Sequence, residues 1–343
     1  MTKHRKLRIA LFFGGTSQER EVSLLSGKNV ASNLDKHKYE VVPVEIATDG
    51  KWLTSSDAIK EIAAKSETKL LSDTQGIVPT EKNPETGIDV AFLALHGPGG
   101  EDGSVQGMLE VLKIPYTFSG VQASALAMDK NKTKRVVASE GILVAPQVII
   151  QKSEYEREPE NFLSQINGKV VIKPNRIGSS YGITITDDST QIKKAIDLAF
   201  EHDTEVLVEK YISGKEFTVP VLGNKKLQAL PVIEIVPKNG STFFDFKAKY
   251  DERYREEIVP APITQELAKS LQDVALRIHQ LLGCRGVSRT DFIVTDSGEI
   301  YFLEINTIPG LTNASLVPQS AAVAGMSYSQ FLDKLIDLAL DKE

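Results

Sequence analysis

The chain has a single cysteine, Cys284, which excludes an intramolecular disulfide. It follows an amphipathic stretch and no cysteine motif surrounds it, so it reads as a buried structural thiol rather than a nucleophile. No run approaches the 18 apolar residues of a membrane span. The apolar run Ile9–Phe13 is short and ends in Gly14-Gly15 without a small-residue cleavage site. It reads as a buried strand entering a turn, not as a signal peptide, and the expected location is the cytoplasm. Basic excess is absent too. Lys and Arg total 40 against 46 Asp and Glu, a net charge of −6. That lacks the broad basic footprint of a nucleic-acid binder. There is no internal repeat and no low-complexity tract.

What remains is ordinary globular composition, 41% hydrophobic and 25% charged over 343 residues. A chain of this length forms two or three domains and buries roughly three quarters of its unfolded surface. The first third alternates strand and helix: strands at Leu7–Phe13, Tyr39–Ala47 and Ile88–Leu95, helices at Glu21–Asn33 and Ser104–Leu112. The first helix carries Val22, Leu25, Val30 and Leu34 at helical spacing. This predicts an α/β unit with a mostly parallel sheet. The turn-rich stretch Ser66–Pro84 reads as a surface excursion.

Further on, helices are expected at Asp129–Glu140, Thr190–Phe200, Ile263–Leu282 and Tyr328–Leu340. Strands are expected at Val148–Gln151, Lys169–Lys173, Glu205–Glu209, Phe217–Leu222 and Leu227–Ile235. Lys238–Pro262 has no clear period and reads as a lid or a disordered loop. Boundaries are expected near residues 125 and 213.

The strongest signal is Val287–Asn306, a hairpin around Asp296-Ser297-Gly298-Glu299. A two-residue turn at Ser297-Gly298 sets Asp291 opposite Glu304 and Arg289 opposite Asn306. The construction gathers these four on one face and gives Phe292, Val294, Phe302 and Ile305 to a core. Two opposed carboxylates call for a divalent cation, and oxygen ligands with an amide suit magnesium and nucleotide phosphates. The competing reading is a solvated face on which Arg289 neutralises the acids. The following turn, Asn306–Gly310, and a helix opening at Ser315-Leu316 offer backbone N–H groups to an anion, or form an ordinary capped helix.

Lys173 ends a strand before Pro-Asn-Arg-Ile-Gly-Ser-Ser-Tyr-Gly. That is not a Walker A loop, but it can close over phosphates. Lys130 at a helix start, unfavourable against the dipole, is either a second phosphate lysine or a solubilising surface charge. Glu209-Lys210-Tyr211-Ile212 ends a strand whose backbone can pair with an adenine edge, with Glu209 or Glu216 accepting from an amino group or ribose. In the first domain Gly14–Arg20, with Glu19, and His96–Gly103 are glycine loops at strand ends, where open α/β sheets bind ligands. Neither has the GxGxxG order of a dinucleotide site. His96 either lines a shared small-molecule site or fixes its own loop.

In order, GGTSQEREVSLLSG, HGPGGEDGSVQGMLE, SALAMDK, VIKPNRIGSSYG, EKYISGKEFTV, FFDFKAKY, SRTDF and LEINTIPGLTNASLVPQSA resemble the D-alanine–D-alanine ligases of the ATP-grasp superfamily, over nearly the whole chain. The resemblance implies an α/β and α+β architecture, the ATP-grasp fold with an amino-terminal α/β (pre-ATP-grasp) domain. Residues 1–125 would be the substrate domain, 126–213 the first ATP-grasp subdomain, and 214–343 the second, with a mobile lid at 238–262. It implies cytoplasmic homodimers that use ATP and D-alanine in peptidoglycan precursor synthesis, with no nucleic-acid or membrane partner.

Carried over residue by residue, Asp291, Glu304 and Asn306 match the family's ligands for two Mg2+ ions, Glu304 bridging, with Mn2+ as a substitute. Lys130, Lys173 and the lid's Lys249 match phosphate lysines, with Ser180 in the phosphate loop. Glu209 and Glu216 match adenine and ribose contacts, and Lys210, Tyr211 and Ile212 line the base pocket. Ser179 and Tyr250 match hydroxyls that pair with Glu19 near the substrates. Glu19 matches the group that holds the first D-alanine's ammonium, with His96 nearby. Arg289 and the Gly310 N–H match oxyanion donors, and Ser315 and Leu316 match the second substrate's carboxylate site. The lid tyrosine in FKAKY favours an amine nucleophile over a hydroxy acid. The alternatives are a D-alanine–D-lactate or D-serine ligase, another ATP-grasp carboxylate–amine ligase, and a non-catalytic nucleotide-binding regulator. Val287-Ser288 and Ile177 depart from the commonest family pattern without replacing a ligand.

Overall fold

β1 (Leu7–Gly14) is apolar along nearly its whole length because it is the inner strand of a parallel sheet. The computed structural model describes residues 5–53, 87–179, 181–238 and 255–341. After β1 come α1 (Arg20–Asn33), β2 (Tyr39–Ile46), β3 (Trp52–Leu53), β4 (Val90–Leu93) and α2 (Ser104–Val111). The sheet order is β3-β2-β1-β4, with β1 parallel to β2 and β4 and only β3 antiparallel.

The chain continues through α3 (Val121–Met128), α4 (Lys130–Ser139), β5 (Leu143–Val144), β6 (Gln147–Gln151), α5 (Lys152–Tyr155), α6 (Pro159–Leu163), β7 (Val170–Pro174), β8 (Thr184–Thr186), α7 (Ser189–Ala199) and β9 (Glu205–Lys210). Next are β10 (Lys215–Leu222), β11 (Gln228–Ala229), β12 (Ile233–Pro237), β13 (Arg255–Ile258), α8 (Gln265–Leu281), β14 (Val287–Val294), β15 (Ile300–Asn306), α9 (Leu316–Val323) and α10 (Tyr328–Leu340). Contacts divide the chain into two units. Met1–Val121, Arg285–Val287 and Ile308–Glu343 form one, and Gln122–Cys284 with Ser288–Thr307 the other.

Within the second unit the described strands form two sheets. One runs β13-β12-β10-β14-β15-β5 with β11 paired to β10, and the other runs β6-β9-β7-β8. Each has its own core. α8 buries Leu271, Ala275 and Ile278, spaced by four and three, with Phe217, Phe292 and Phe302 of the larger sheet. α7 buries Ile192, Ala195, Ile196 and Ala199 against Ile172, Val206 and Val208 of the smaller one. Thr264 caps α8 and Asp188 caps α7 through side-chain acceptors. The two cores do not divide at 213, because β5 pairs in the larger sheet and Ala127, Val137 and Ile142 pack in its core; subdomains at 126–213 and 214–343 stay a proposal. By contact, however, Ile308–Glu343 groups with the amino-terminal residues rather than with 214–307.

Three local expectations change. α1 covers Val30 and Leu34 of the expected stripe but leaves Leu25 out and Val22 only partly covered. It buries Ser23, Ser26, Gly27 and Val30, and Leu25 is 57% exposed. The cause is close packing: a Cβ on Gly27 would lie 2.6 Å from the Phe13 Cβ, so only a small-residue face lets this helix approach β1 so closely. The expected strand Leu227–Ile235 is two strands, β11 and β12, interrupted at Pro231, which has no N–H for a ladder. β13 lies inside the segment read as patternless. It is a charged edge strand, Arg-Glu-Glu-Ile, and such edges lack the alternation of a half-buried strand. Residues 239–254 of that segment and the 66–84 excursion lie outside the described residues.

Candidate active site

The hairpin β14–β15 pairs Arg289 with Asn306 and Asp291 with Glu304, the register expected from the sequence. The route to it differs. Thr295 N–H donates to Glu299 O (3.0 Å) and Gly298 N–H to Thr295 O (2.9 Å), with Gly298 at φ +85°. The turn therefore has three residues, not two, and leaves the ladder one residue out of step. Phe292 faces Phe302 and Val294 faces Ile300 on that side of a β-bulge between Asp291 and Phe292. Leu303 of β15 is the extra residue of that bulge; it has no Cα partner in the ladder and restores the register. A regular strand would put Phe302 and Glu304 on one face. The bulge lets Phe302 and Ile305, only 1% and 4% exposed, share the core while Glu304 faces Asp291.

Cations already attend both acids. Arg289 Nε and Nη2 donate to Asp291 Oδ1 and Oδ2 at 2.9 and 2.8 Å, and the Thr218 hydroxyl donates to Oδ1. Lys130 Nζ lies 3.4 Å from Glu304 Oε2 and donates to the Ile177 carbonyl at 2.9 Å. Lys130 thus ties the hairpin to the Arg176–Gly182 loop. It is 7% exposed, so the reading of it as a surface charge is not what the structure shows. In that loop Ser179 is buried at φ +52°, a left-handed conformation unfavourable for a non-glycine residue. Ser180, Lys249 and Tyr250 lie outside the described residues.

The four-stranded sheet places Lys173 and Glu209 side by side on adjacent strands, Lys173 Nζ 3.0 Å from Glu209 Oε1. The same oxygen accepts from Lys134 Nζ. Burial alone would raise the Glu209 carboxyl, but Lys134 and then Lys173 outweigh it and hold the group below the usual carboxylate range. The N–H groups of Lys210 and Tyr211 go to Pro146 O (2.8 Å) and Lys169 O (3.0 Å). The Lys169 ammonium sits 4.0 Å above the Tyr211 ring. Ile212 follows directly, and Glu216 lies on β10 opposite Ile235.

In the first unit the two glycine loops meet. Ser17 Oγ donates to His96 O (2.7 Å), and His96 Nε2 is 3.0 Å from Ser26 Oγ. A Cβ on Gly97 would lie 2.7 Å from Glu19 Oε2, so a side chain there would displace the carboxylate. The Leu311 N–H reaches the same Ser26 hydroxyl (3.4 Å), and Asn29 donates to Leu311 O (2.8 Å). Gly310 faces Ser315, whose Oγ accepts from Thr312 N (3.0 Å) and which opens α9 at Leu316. Glu19, His96, Gly310, Ser315 and Leu316 are therefore all carried by segments joined to α1 within one unit.

Sequence reading missed four residues. Lys134 stands one helical turn after Lys130. Asn175, fully buried, donates to Asp129 Oδ1 (2.9 Å) and accepts from Asn131 N (2.8 Å), joining the starts of α4 and of the phosphate loop. Thr218 and Ser26 are buried hydroxyls. The available signals were Lys134's i,i+4 spacing from Lys130 and the Ser23/Ser26 spacing after Glu19.

Residues 8–119 match the family described as D-ala D-ala ligase N-terminus, and residues 136–337 match D-ala D-ala ligase C-terminus. The chain belongs to the D-alanine–D-alanine ligase family. It is 42% identical to the D-alanine–D-alanine ligase of Syntrophobacter fumaroxidans over 98% of each chain. Against that of Caldicellulosiruptor bescii it is 38% identical, over 98% of this chain and 96% of the relative. Among solved structures, the VanG D-Ala:D-Ser ligase of Enterococcus faecalis superposes with a TM-score of 0.82 at 36% identity, covering 98% of this chain and 100% of that one. The Bacillus anthracis D-alanine–D-alanine ligase complexed with ATP gives 0.75 at 33% identity, covering 97% of each. The architecture is thus the ATP-grasp fold of this ligase family, with its amino-terminal α/β domain. No helix among the described residues is long and apolar enough to cross a membrane.

Proposed function

We propose that this ligase joins two D-alanine molecules into D-alanyl-D-alanine, converting ATP to ADP and phosphate through a D-alanyl phosphate. The observation that carries the reading is the β14–β15 face. Arg289, Asp291, Glu304 and Asn306 stand in register, with Lys130 against Glu304.

A carboxylate resists attack by an amine, so its oxygen must first leave as phosphate. Lys130 and Lys173 offset the negative charge that gathers when the γ-phosphoryl approaches the carboxylate of the first D-alanine. Glu209, Lys210, Tyr211 and Ile212 take the adenine, and Glu216 takes the ribose. Glu19 receives the ammonium of the first D-alanine, with His96 beside it on the neighbouring loop. Ser315 and Leu316, at a helix start, receive the carboxylate of the second. Its amine then attacks the acyl carbon, and Arg289 with the Gly310 N–H stabilises the oxyanion, an effect of about 3 kcal/mol per well-aimed donor. By the family pattern, Ser180 and Lys249 join the phosphate contacts, Ser179 and Tyr250 supply hydroxyls near the substrates, and the 238–262 segment excludes water from the D-alanyl phosphate.

The donors present fit magnesium. Asp291, Glu304 and Asn306 supply hard oxygen, and among the described residues no histidine, cysteine or third acid joins them. Water and nucleotide oxygens would complete the shell, as magnesium prefers. When bound there, Mg2+, or Mn2+ in its place, neutralises phosphate charge. A homodimer in the cytoplasm, supplying peptidoglycan precursors, completes the proposal.

The test is isotopic. With D-alanine carrying 18O in its carboxylate, one labelled oxygen per turnover should appear in inorganic phosphate. Unlabelled phosphate alongside dipeptide would contradict the D-alanyl phosphate route.

A further inference from the structure

One carboxylate oxygen, Glu209 Oε1, accepts from two ammonium groups, Lys134 and Lys173. All three residues are nearly excluded from solvent, with Lys134 1% and Glu209 2% exposed. Lys173 has a second task in the proposed reaction, because it stands where the phosphate loop begins. Lys134 has none. It projects from α4, one turn past Lys130, into the interface with the smaller sheet. Burying an ammonium is costly unless a partner compensates, so its persistence there requires a reason.

We infer that Lys134 is a positioning residue: it is the permanent counter-ion of Glu209 and thereby releases Lys173 to bind nucleotide phosphate. This rests on the reading of Lys173 as a phosphate lysine and Glu209 as a base contact. With Lys134 present, Glu209 keeps a partner when Lys173 turns to the nucleotide. Without it, Lys173 becomes the only counter-ion of a buried carboxylate, and ATP must compete with Glu209 for it. The same contact fixes the aim of Glu209. Burial pulls Lys134 below the ordinary lysine range, to about 8, and Glu209 is the main group that opposes it.

The experiment is a double-mutant cycle read by calorimetric ATP binding in magnesium buffer and by steady-state kinetics. Lys134→Met should weaken ATP binding at least tenfold and leave the KM for D-alanine within twofold. In a Glu209→Gln background, where no acid competes for Lys173, the same substitution should change ATP affinity by less than twofold. An equal tenfold loss in both backgrounds, or no loss in either, would overturn the inference. If Lys134→Met alone does not fold, the comparison of Glu209→Gln with the charge-balanced double variant decides the matter by the same twofold and tenfold outcomes. ATP binding is read separately from product. A wild-type chain that binds ATP but makes no D-alanyl-D-alanine would defeat the proposed function and leave this cycle intact.

Discussion

Asp291 stands directly opposite Glu304 because Leu303 is left out of the ladder between β14 and β15. That one unpaired residue separates a core face from an acidic face on a strand whose side chains would otherwise alternate the wrong way. The acids are held together at the cost of like-charge repulsion, and Arg289 and Lys130 answer it.

Asp291→Asn keeps the size of the side chain and the Thr218 contact but removes the charge that faces Arg289. Ligation should fall at least about 100-fold, equivalent to about 2.7 kcal/mol of barrier. The thermal midpoint should move by only a few degrees. Near-normal turnover in this variant would contradict the metal assignment.

Gly97→Ala tests the first-unit loops. Its φ of +75° strains any other residue, and a methyl group 2.7 Å from Glu19 Oε2 would push that carboxylate aside. The KM for D-alanine should rise several-fold or more while ATP affinity is unchanged. A parallel rise in the ATP constant would count against assigning Glu19 to substrate rather than nucleotide.

Much of this was legible in the sequence and part was not, for identifiable reasons. The acid pair could be placed because residues near a hairpin inherit its register. The three-residue turn and the bulge cancelled, so an incorrect turn still led to the correct pairing. α10, with its Ser327/Gln330 capping box, spans the expected residues. Val30 and Leu34 of the α1 stripe are buried, but apolar spacing cannot reveal that the helix also packs through Ser23, Ser26 and Gly27. Lys134 was passed over because a lysine in a charged helix ordinarily faces water. Only the tertiary position of Glu209 makes it interior.

His279 contributes to acid stability. It is 1% exposed, lies 2.7 Å from Ser288 Oγ through Nδ1, and burial pushes its imidazole down to about 4. A lowered histidine leaves the folded state neutral while the unfolded chain takes up the proton. Its stabilisation is therefore intact above the unfolded value of about 6.5 and is lost as pH falls toward 4. Between pH 7 and pH 5 this predicts a loss of about 2 kcal/mol. Urea unfolding at the two pH values should show that loss shrink in His279→Gln. An unchanged difference would contradict the assignment.

Gly298→Ala isolates the turn. No atom lies within 4 Å of the new methyl group, so only the φ of +85° is penalised. The expected cost is about 1 kcal/mol of stability with kcat unchanged. A variant as stable as wild type would argue for a different turn.

The most direct measurement is product analysis with ATP, magnesium and D-alanine, in parallel with equimolar D-alanine plus D-lactate and D-alanine plus D-serine. D-alanyl-D-alanine should dominate all three mixtures, with one phosphate released per dipeptide and none with L-alanine. A depsipeptide or D-alanyl-D-serine as the main product, or ATP binding without any ligation, would contradict the account.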